Sequence, residues 1–169
     1  MPKVHDIQGF APIIPAHPKL LLLGTMPSAQ SLQDGFYYAH PRNAFWPIIG
    51  HLLTQELNTV TQKKAACNRL GILVWDVLAT CQREGSLDSN IKQPQANDFA
   101  ALFKKYPLIE AVFFNGQLAA KLFKQQVQAV QAIPDDLRQV ILPSSSPANA
   151  RLKINDKALI WEEKLRPFL

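Results

Sequence analysis

The chain is poor in the features that mark specialised protein classes. Two cysteines, Cys67 and Cys81, stand in 169 residues with no CxxC spacing, so a disulfide scaffold is excluded. No secretory leader is evident, and free thiols without one set the expectation of a reducing, cytoplasmic compartment. The longest strongly apolar run, Leu20–Leu23, is too short for a membrane span or the core of a signal peptide. No block of like charge occurs, and no GxxxxGK[ST] or GxGxxG motif follows a strand-like run, which argues against a nucleotide cradle. The four histidines (His5, His17, His40, His51) are scattered, without HExxH or cysteine partners, so no metal is expected. Ser144-Ser145-Ser146 lacks the GxSxG context of a serine hydrolase. Chemistry without a cofactor is the expectation.

What the chain does have is apolar mass. Hydrophobic residues make up 47% and charged residues 18%, enough for a core and against global disorder. Eighteen Lys+Arg against thirteen Asp+Glu leave +5. The excess is uneven: residues 1–90 carry seven basic and six acidic side chains, residues 91–169 eleven and seven. A moderate excess of this kind suits an anionic partner without demanding one.

Four short apolar runs recur, each closed by turn chemistry: Leu20–Leu23, Gly71–Leu78, Ala111–Phe114 and Gln139–Leu142. Such runs are expected of strands buried on both faces. Between them, Asn43–Leu57, Gln62–Leu70, Asn97–Tyr106 and Gly116–Gln131 read as helices, and Asp156–Leu165 as a closing helix. The alternation predicts an α/β fold, a three-layer α/β/α sandwich with a central four-stranded parallel sheet. Residues 1–169 read as one domain, with a proline-rich arm over 1–18 packed on it. In such sheets the site lies beyond the carboxyl ends of the strands. That rule selects Gly24–Trp46, Asp76–Ile91, Asn115–Gln117 and Pro143–Arg151, where the unusual residues of the chain also fall.

The first of these segments begins Gly24-Thr25-Met26-Pro27-Ser28 and continues through Phe36-Tyr37-Tyr38-Ala39-His40-Pro41-Arg42-Asn43-Ala44-Phe45-Trp46. It reads as a tight loop bringing backbone N–H groups to a ligand, then an aromatic platform and a polar cluster. Here the sequence resembles the uracil-DNA glycosylase superfamily, and within it most of all the hypoxanthine-DNA (deoxyinosine) glycosylase branch. The resemblance runs from about Leu20 to Arg151 with all four segments in the family's order. It implies hydrolysis of the bond between a deaminated base and its deoxyribose in DNA, by a monomer acting without metal or cofactor.

Residue roles follow from the resemblance, each beside a plainer reading. Met26 stands where many members carry an Asp or Asn that handles the attacking water, and methionine can neither orient nor deprotonate water. Asn43 is the replacement the branch suggests, positioning water through its carbonyl while an oxocarbenium-like sugar is stabilised. Spacing alone makes it the N-cap of the following helix, and both roles are compatible. Tyr38 matches the ring stacked on the extruded base, or else a core aromatic. Phe45 and Trp46 read as core, while Phe36 and Tyr37 stay open.

Asp76 falls where uracil enzymes place an Asn that reads the base edge. An ionised carboxylate only accepts, so it suits the N1–H of hypoxanthine and repels the N1 lone pair of adenine. Its plainer role is to cap the Val77–Thr80 turn. Gly24 and Met26 complete the base-binding set with Asn115, whose Asn-Gly context is also simple turn chemistry. Pro27, Ser28, His40, Ser144, Ser145, Ser146, Pro147, Asn149 and Arg151 are the DNA-contact candidates. The serine-proline loop holds phosphates and its tip enters the minor groove, unless it is an ordinary loop. Lys153 and Lys157 extend that surface. The Gly85–Ile91 stretch also resembles the branch, with no role beyond a turn capped by Asp88.

Other functions remain on the sequence alone. They are a uracil glycosylase for mismatches or single strands, a non-catalytic binder of damaged DNA, and a hydrolase of free nucleosides.

Overall fold

Each of the four apolar runs contributes one strand to a central parallel sheet. The computed structural model describes residues 6–169, so residues 1–5 of the expected arm lie outside the described residues. In chain order the elements are β1 (Asp6–Gln8), β2 (Leu20–Gly24), α1 (Ala29–Asp34), α2 (Phe45–Leu53), α3 (Val60–Leu70), β3 (Ile72–Asp76), β4 (Leu78–Gln82), β5 (Lys92–Ala96), α4 (Phe99–Lys105), β6 (Ala111–Asn115), α5 (Gln117–Phe123), β7 (Arg138–Leu142) and α6 (Ile154–Leu165).

The main sheet has the order β3-β2-β6-β7 with every pair parallel. Successive side chains of a strand leave on opposite faces, and each face meets its own core. Leu20, Leu22, Ile72, Val74, Ala111 and Phe113 pack with the buried residues of α2, α3 and α6. Leu21, Leu23, Leu73, Val112 and Phe114 pack with those of α4 and α5. The expected three-layer α/β fold with four parallel strands is the one observed. After β2 the chain adds β3 on one side and later β6 on the other. The connections therefore diverge above the carboxyl ends of β2 and β6, where a crevice opens.

Several expected boundaries moved for local reasons. The run Gly71–Leu78 is not one strand. It leaves the main sheet after Asp76, where Val77 N–H donates to Gly24 O (2.9 Å) and Leu78 N–H to Thr25 O (3.2 Å). The chain then continues as β4 in a second, antiparallel sheet of order β1-β4-β5. The helix expected over Asn43–Leu57 ends at Leu53, because Thr54 adopts a left-handed conformation and closes on Gly50 and His51 carbonyls. The helix expected from Gln62 starts at Val60 instead, with Thr59 and Gln62 forming a capping box. Gly116–Gln131 is α-helical only to Phe123 and then widens into a π turn over Lys124–Gln128. Within residues 6–18, Ile13 bridges to Val74, and the Phe10 carbonyl accepts from Trp75 Nε1 (3.1 Å). No helix among the described residues is long and apolar enough to cross a membrane.

Candidate active site

The crevice above β2 and β6 is a pocket to which all four strand-end segments contribute. Its lining includes Gly24, Met26, Pro27, Ser28, Tyr38, Asn43, Asp76, Asn115, Ser144, Ser145 and Ser146. His40, Pro147, Asn149 and Arg151 stand outside this lining.

The floor is made by close packing at Gly24. A Cβ there would stand 2.6 Å from Asp76 Oδ1 and 2.6 Å from Tyr38 Oη, so only glycine leaves room for both oxygens. Asp76 ends β3 directly beside Gly24 in the parallel register and is 3% exposed. Tyr38 reaches the same point with a left-handed backbone, φ 53°. For a bulky side chain that conformation stores about 1–3 kcal/mol of strain. One face of its ring is stacked on Phe45, centroids 4.0 Å apart and planes 19° apart, which leaves the opposite face to a ligand.

Tyr38 Oη and Asp76 Oδ2 are the two buried side-chain polar atoms left without a partner among the described residues. Leaving such groups unpaired costs about 1–3 kcal/mol each, and both belong to residues that line the pocket. Burial pushes the Asp76 carboxyl up to about 7, with Arg83 pulling it back and Asp88 adding to the rise. Burial and the Asp76 charge raise the Tyr38 phenol in turn. Asp76 does not cap the following turn, contrary to that expectation: its carboxyl faces the pocket, and only its carbonyl is engaged, by Asn97 Nδ2 at 2.8 Å.

Asn43 precedes α2 and its Oδ1 accepts the Phe45 N–H at 2.9 Å. The helix-capping contact is therefore present, displaced by one residue because α2 begins at Phe45. A carbonyl oxygen has two acceptor sites, so the second remains for a water in the pocket. His40 accepts the Arg42 N–H on Nδ1 at 3.1 Å, which fixes this turn against Asn43.

Asn115 uses its whole amide internally. Nδ2 donates to Ser145 Oγ and Oδ1 accepts the Ser145 N–H, both at 2.8 Å. This bracket ties β6 to the loop after β7, and the Ser145 carbonyl in turn accepts the Ala44 N–H at 2.9 Å. Asn149 Nδ2 donates to Ser144 O (3.2 Å) within the same loop. Arg151 is exposed on a neighbouring groove with Asn149 and Lys164. Lys157, expected on the phosphate-facing surface, is only 3% exposed and donates from beneath the loop to Ser146 O at 3.2 Å. Ser28 caps α1 by accepting the Ser31 N–H at 3.1 Å. Met26 is buried, packed in the core under the pocket. Tyr37, left open by sequence, donates to Ala11 O at 2.9 Å and anchors the arm. Asp88 opens a turn but closes it through its carbonyl, which accepts the Ile91 N–H (3.2 Å), rather than by a side-chain cap.

Sequence reasoning missed Arg83. It is 6% exposed, with its guanidinium donating to Gly85 O (2.7 Å) and Pro27 O (2.5 Å). A buried cation is rare unless paired, and no carboxylate forms an ion pair with it among the described residues. Arg83 thus joins the first loop to the Glu84–Asn90 loop from behind the pocket. Nothing in its local sequence distinguishes it from a surface arginine.

The model of the uracil DNA glycosylase superfamily matches residues 11–164, and the chain belongs to that superfamily. A DNA glycosylase activity, and with it a DNA substrate, follows at the level of the family. Two curated relatives are named hypoxanthine DNA glycosylase. The one from Methanosarcina acetivorans is 32% identical over 94% of this chain and 98% of its own. The one from Methanosarcina barkeri is 31% identical with the same coverage. A solution NMR structure from Methanosarcina acetivorans, described as that of a candidate uracil DNA glycosylase, superimposes with TM-score 0.80 at 30% identity, covering 97% of this chain and 99% of that one.

Proposed function

We propose that the protein removes hypoxanthine from deoxyinosine in DNA by hydrolysis alone, without a lyase step. The observation that carries this reading is the Asp76 carboxyl, buried at the pocket floor with Oδ2 unpartnered. Ionised, it offers only acceptors, which match the N1–H of hypoxanthine and oppose the N1 lone pair of adenine. A site built on such a contact rejects the mismatched base strongly, since the wrong base leaves buried polar groups unpaired. The relatives' shared name points the same way.

The nucleotide leaves the stack and its base lies along the open face of Tyr38, where stacking is worth about 1–3 kcal/mol. Asn43 holds a water through the free acceptor site of its carbonyl. As the bond between C1′ and the base nitrogen breaks, its electron pair stays with the base and the sugar acquires oxocarbenium character. The water oxygen then bonds to C1′, its proton passes to solvent, and the base departs with an abasic site left behind. An amide is too weak a base to take that proton, so the rate rests on orientation and placed dipoles. The Ser144 and Ser146 hydroxyls hold the phosphates beside the flipped nucleotide, and no lysine among the described residues lines the pocket to form a Schiff base.

The test is excision from an inosine-containing duplex in the presence of a chelator at low salt. Alkali-labile cleavage at the inosine is expected, and an intact strand overturns the reading. Added salt should lower binding with a slope of about −0.9 per neutralised phosphate, whereas a free-nucleoside hydrolase would be indifferent to salt. A second reading, uracil excision, is favoured by one fact: the N3–H of uracil also meets an acceptor, so a uracil duplex belongs in the same assay.

Gly24→Ala probes the floor of the pocket. The added methyl would have to displace Asp76 or Tyr38, and a shift near 1 Å in a reacting geometry costs about 10²-fold. Activity should fall by that order while the chain stays folded. An unaffected rate would separate these two side chains from the chemistry.

A further inference from the structure

Arg83 ties two loops together, but that work does not require a charge. Its Nε donates to Gly85 O (2.7 Å) and its Nη2 to Pro27 O (2.5 Å), and an uncharged amide also carries two donors. Burying a cation outside an ion pair is costly. Arg83 is nevertheless 6% exposed, with no ion pair among the described residues, and a guanidinium stays protonated even there. The fold therefore keeps a positive charge behind the pocket wall without letting it line the pocket.

The groups that feel this charge are the carboxyls. Burial raises Asp76 and Asp88, Arg83 draws each of them back down, and Asp88 adds to the rise at Asp76. Burial also holds the Tyr37 and Tyr38 phenols far above their ordinary range, so they face Asp76 as neutral groups. Among these neighbours Arg83 alone is positive. Its two carbonyl tethers decide how it acts. Pro27 lies three residues beyond Gly24, against which Asp76 packs, so the tether brings the charge close to the carboxyl. A direct salt bridge would take the oxygen that a bound base must meet. Held back on Gly85 O and Pro27 O, the guanidinium leaves Asp76 Oδ2 unpartnered, while its field still reaches the carboxyl through a medium of low dielectric.

We propose that Arg83 is a positioning residue, a counter-charge held off contact so that Asp76 stays ionised and keeps an oxygen free for the edge of the bound base. The proposal rests on the reading of Asp76 as the group that meets the base. Two measurements test it. The first is NMR of protein labelled at its aspartate carboxyl carbons, which follows Asp76 without any substrate. The second is single-turnover excision of inosine across pH.

In wild type the Asp76 carboxyl should titrate at about 7. Arg83→Gln keeps donors for a carbonyl and drops the charge, so it should move that midpoint up by about one unit or more. Arg83→Lys keeps the charge and should hold the midpoint within about half a unit. Excision by Arg83→Gln should fall about fivefold or more at pH 7 and return to within about twofold of wild type at pH 9. A loop tie with no electrostatic part predicts instead an equal loss at every pH. If the glutamine variant does not fold, wild type carries the test. Its Arg83 Nε resonance should shift with the Asp76 midpoint, and that shift should vanish in Asp76→Asn. An Asp76 midpoint unmoved by glutamine, one moved as far by lysine, or an Arg83 resonance indifferent to Asp76 overturns the proposal. A midpoint that moves without the excision rate following leaves Arg83 as the counter-charge and overturns Asp76 as the base reader. Failure of wild-type protein to excise inosine overturns the substrate reading, and the two NMR titrations then decide Arg83 by themselves.

Discussion

Asp76→Asn is expected to make the protein more stable above pH 7 and a poorer enzyme on inosine. The stability half follows from linkage. Burial raises the folded carboxyl from an ordinary value near 3.8 to about 7, so between those values the native state binds more protons than the unfolded chain. Stability therefore falls as pH rises through that window and stays at its lower level above it. The unfavourable contribution is absent below about pH 4 and complete by pH 8, where three units correspond to at most about 4 kcal/mol. Asparagine has no charge to desolvate. Melting temperatures of variant and wild type should coincide near pH 4 and separate by several degrees at pH 8.

The catalytic half has the opposite sign. A charge-assisted hydrogen bond is worth roughly twice a neutral one, so its loss should lower kcat/KM on inosine by about 10–100-fold. The wild-type rate should show an acid limb with a midpoint near 7, since the protonated carboxyl regains a donor and no longer opposes adenine. The groups that bear on this limb are Arg83, Asp88, Tyr37 and Tyr38. In Asp76→Asn the limb should vanish. A melting temperature that drops at pH 8, or an acid limb that persists unchanged, would show that Asp76 is an ordinary structural carboxylate.

That a residue can cost stability and still sit at the floor of the pocket explains which parts of this molecule could be read from its sequence. Leu20–Leu23 and Ala111–Phe114 announce themselves because strands covered on both faces have no polar side to show. The β1-β4-β5 sheet was hidden for the complementary reason. Lys92-Gln93-Pro94-Gln95-Ala96 is polar with a central proline, and Leu78–Gln82 continues an apolar run that already looked like one strand. The strand-end rule located the pocket before any contact was known, because topology alone sets where the connections part. The internal wiring was not legible. The Asn115–Ser145 bracket joins residues thirty positions apart, and the buried state of Arg83 and Lys157 depends on what folds over them. Local sequence records the side chain's chemistry but not whether another segment will consume it.

Asn43 presents that problem in its sharpest form, since its one amide oxygen accepts the Phe45 N–H and, in the proposed mechanism, also holds the water. Asn43→Ala should remove both services. Losing the contact to Phe45 N–H costs about 1 kcal/mol, a few degrees of melting temperature in a chain of this length. Losing an oriented polar group at the reacting centre costs about 10²–10³ in kcat. Asn43→Ser separates the two. A serine hydroxyl can still accept the N–H two residues on, so the melting temperature should return to the wild-type value. Its oxygen stops short of the amide's reach into the pocket, so kcat should stay as low as in the alanine variant, with KM for inosine DNA little changed in either. If serine restores turnover together with stability, Asn43 acts only by holding the start of α2, and the water must be positioned by another pocket group. If turnover stays lost while stability returns, the helix cap and the catalytic role are distinct properties of one side chain. The cap then explains how an amide with no basicity keeps its orientation: the helix N-terminus holds one acceptor site so that the other points at the water.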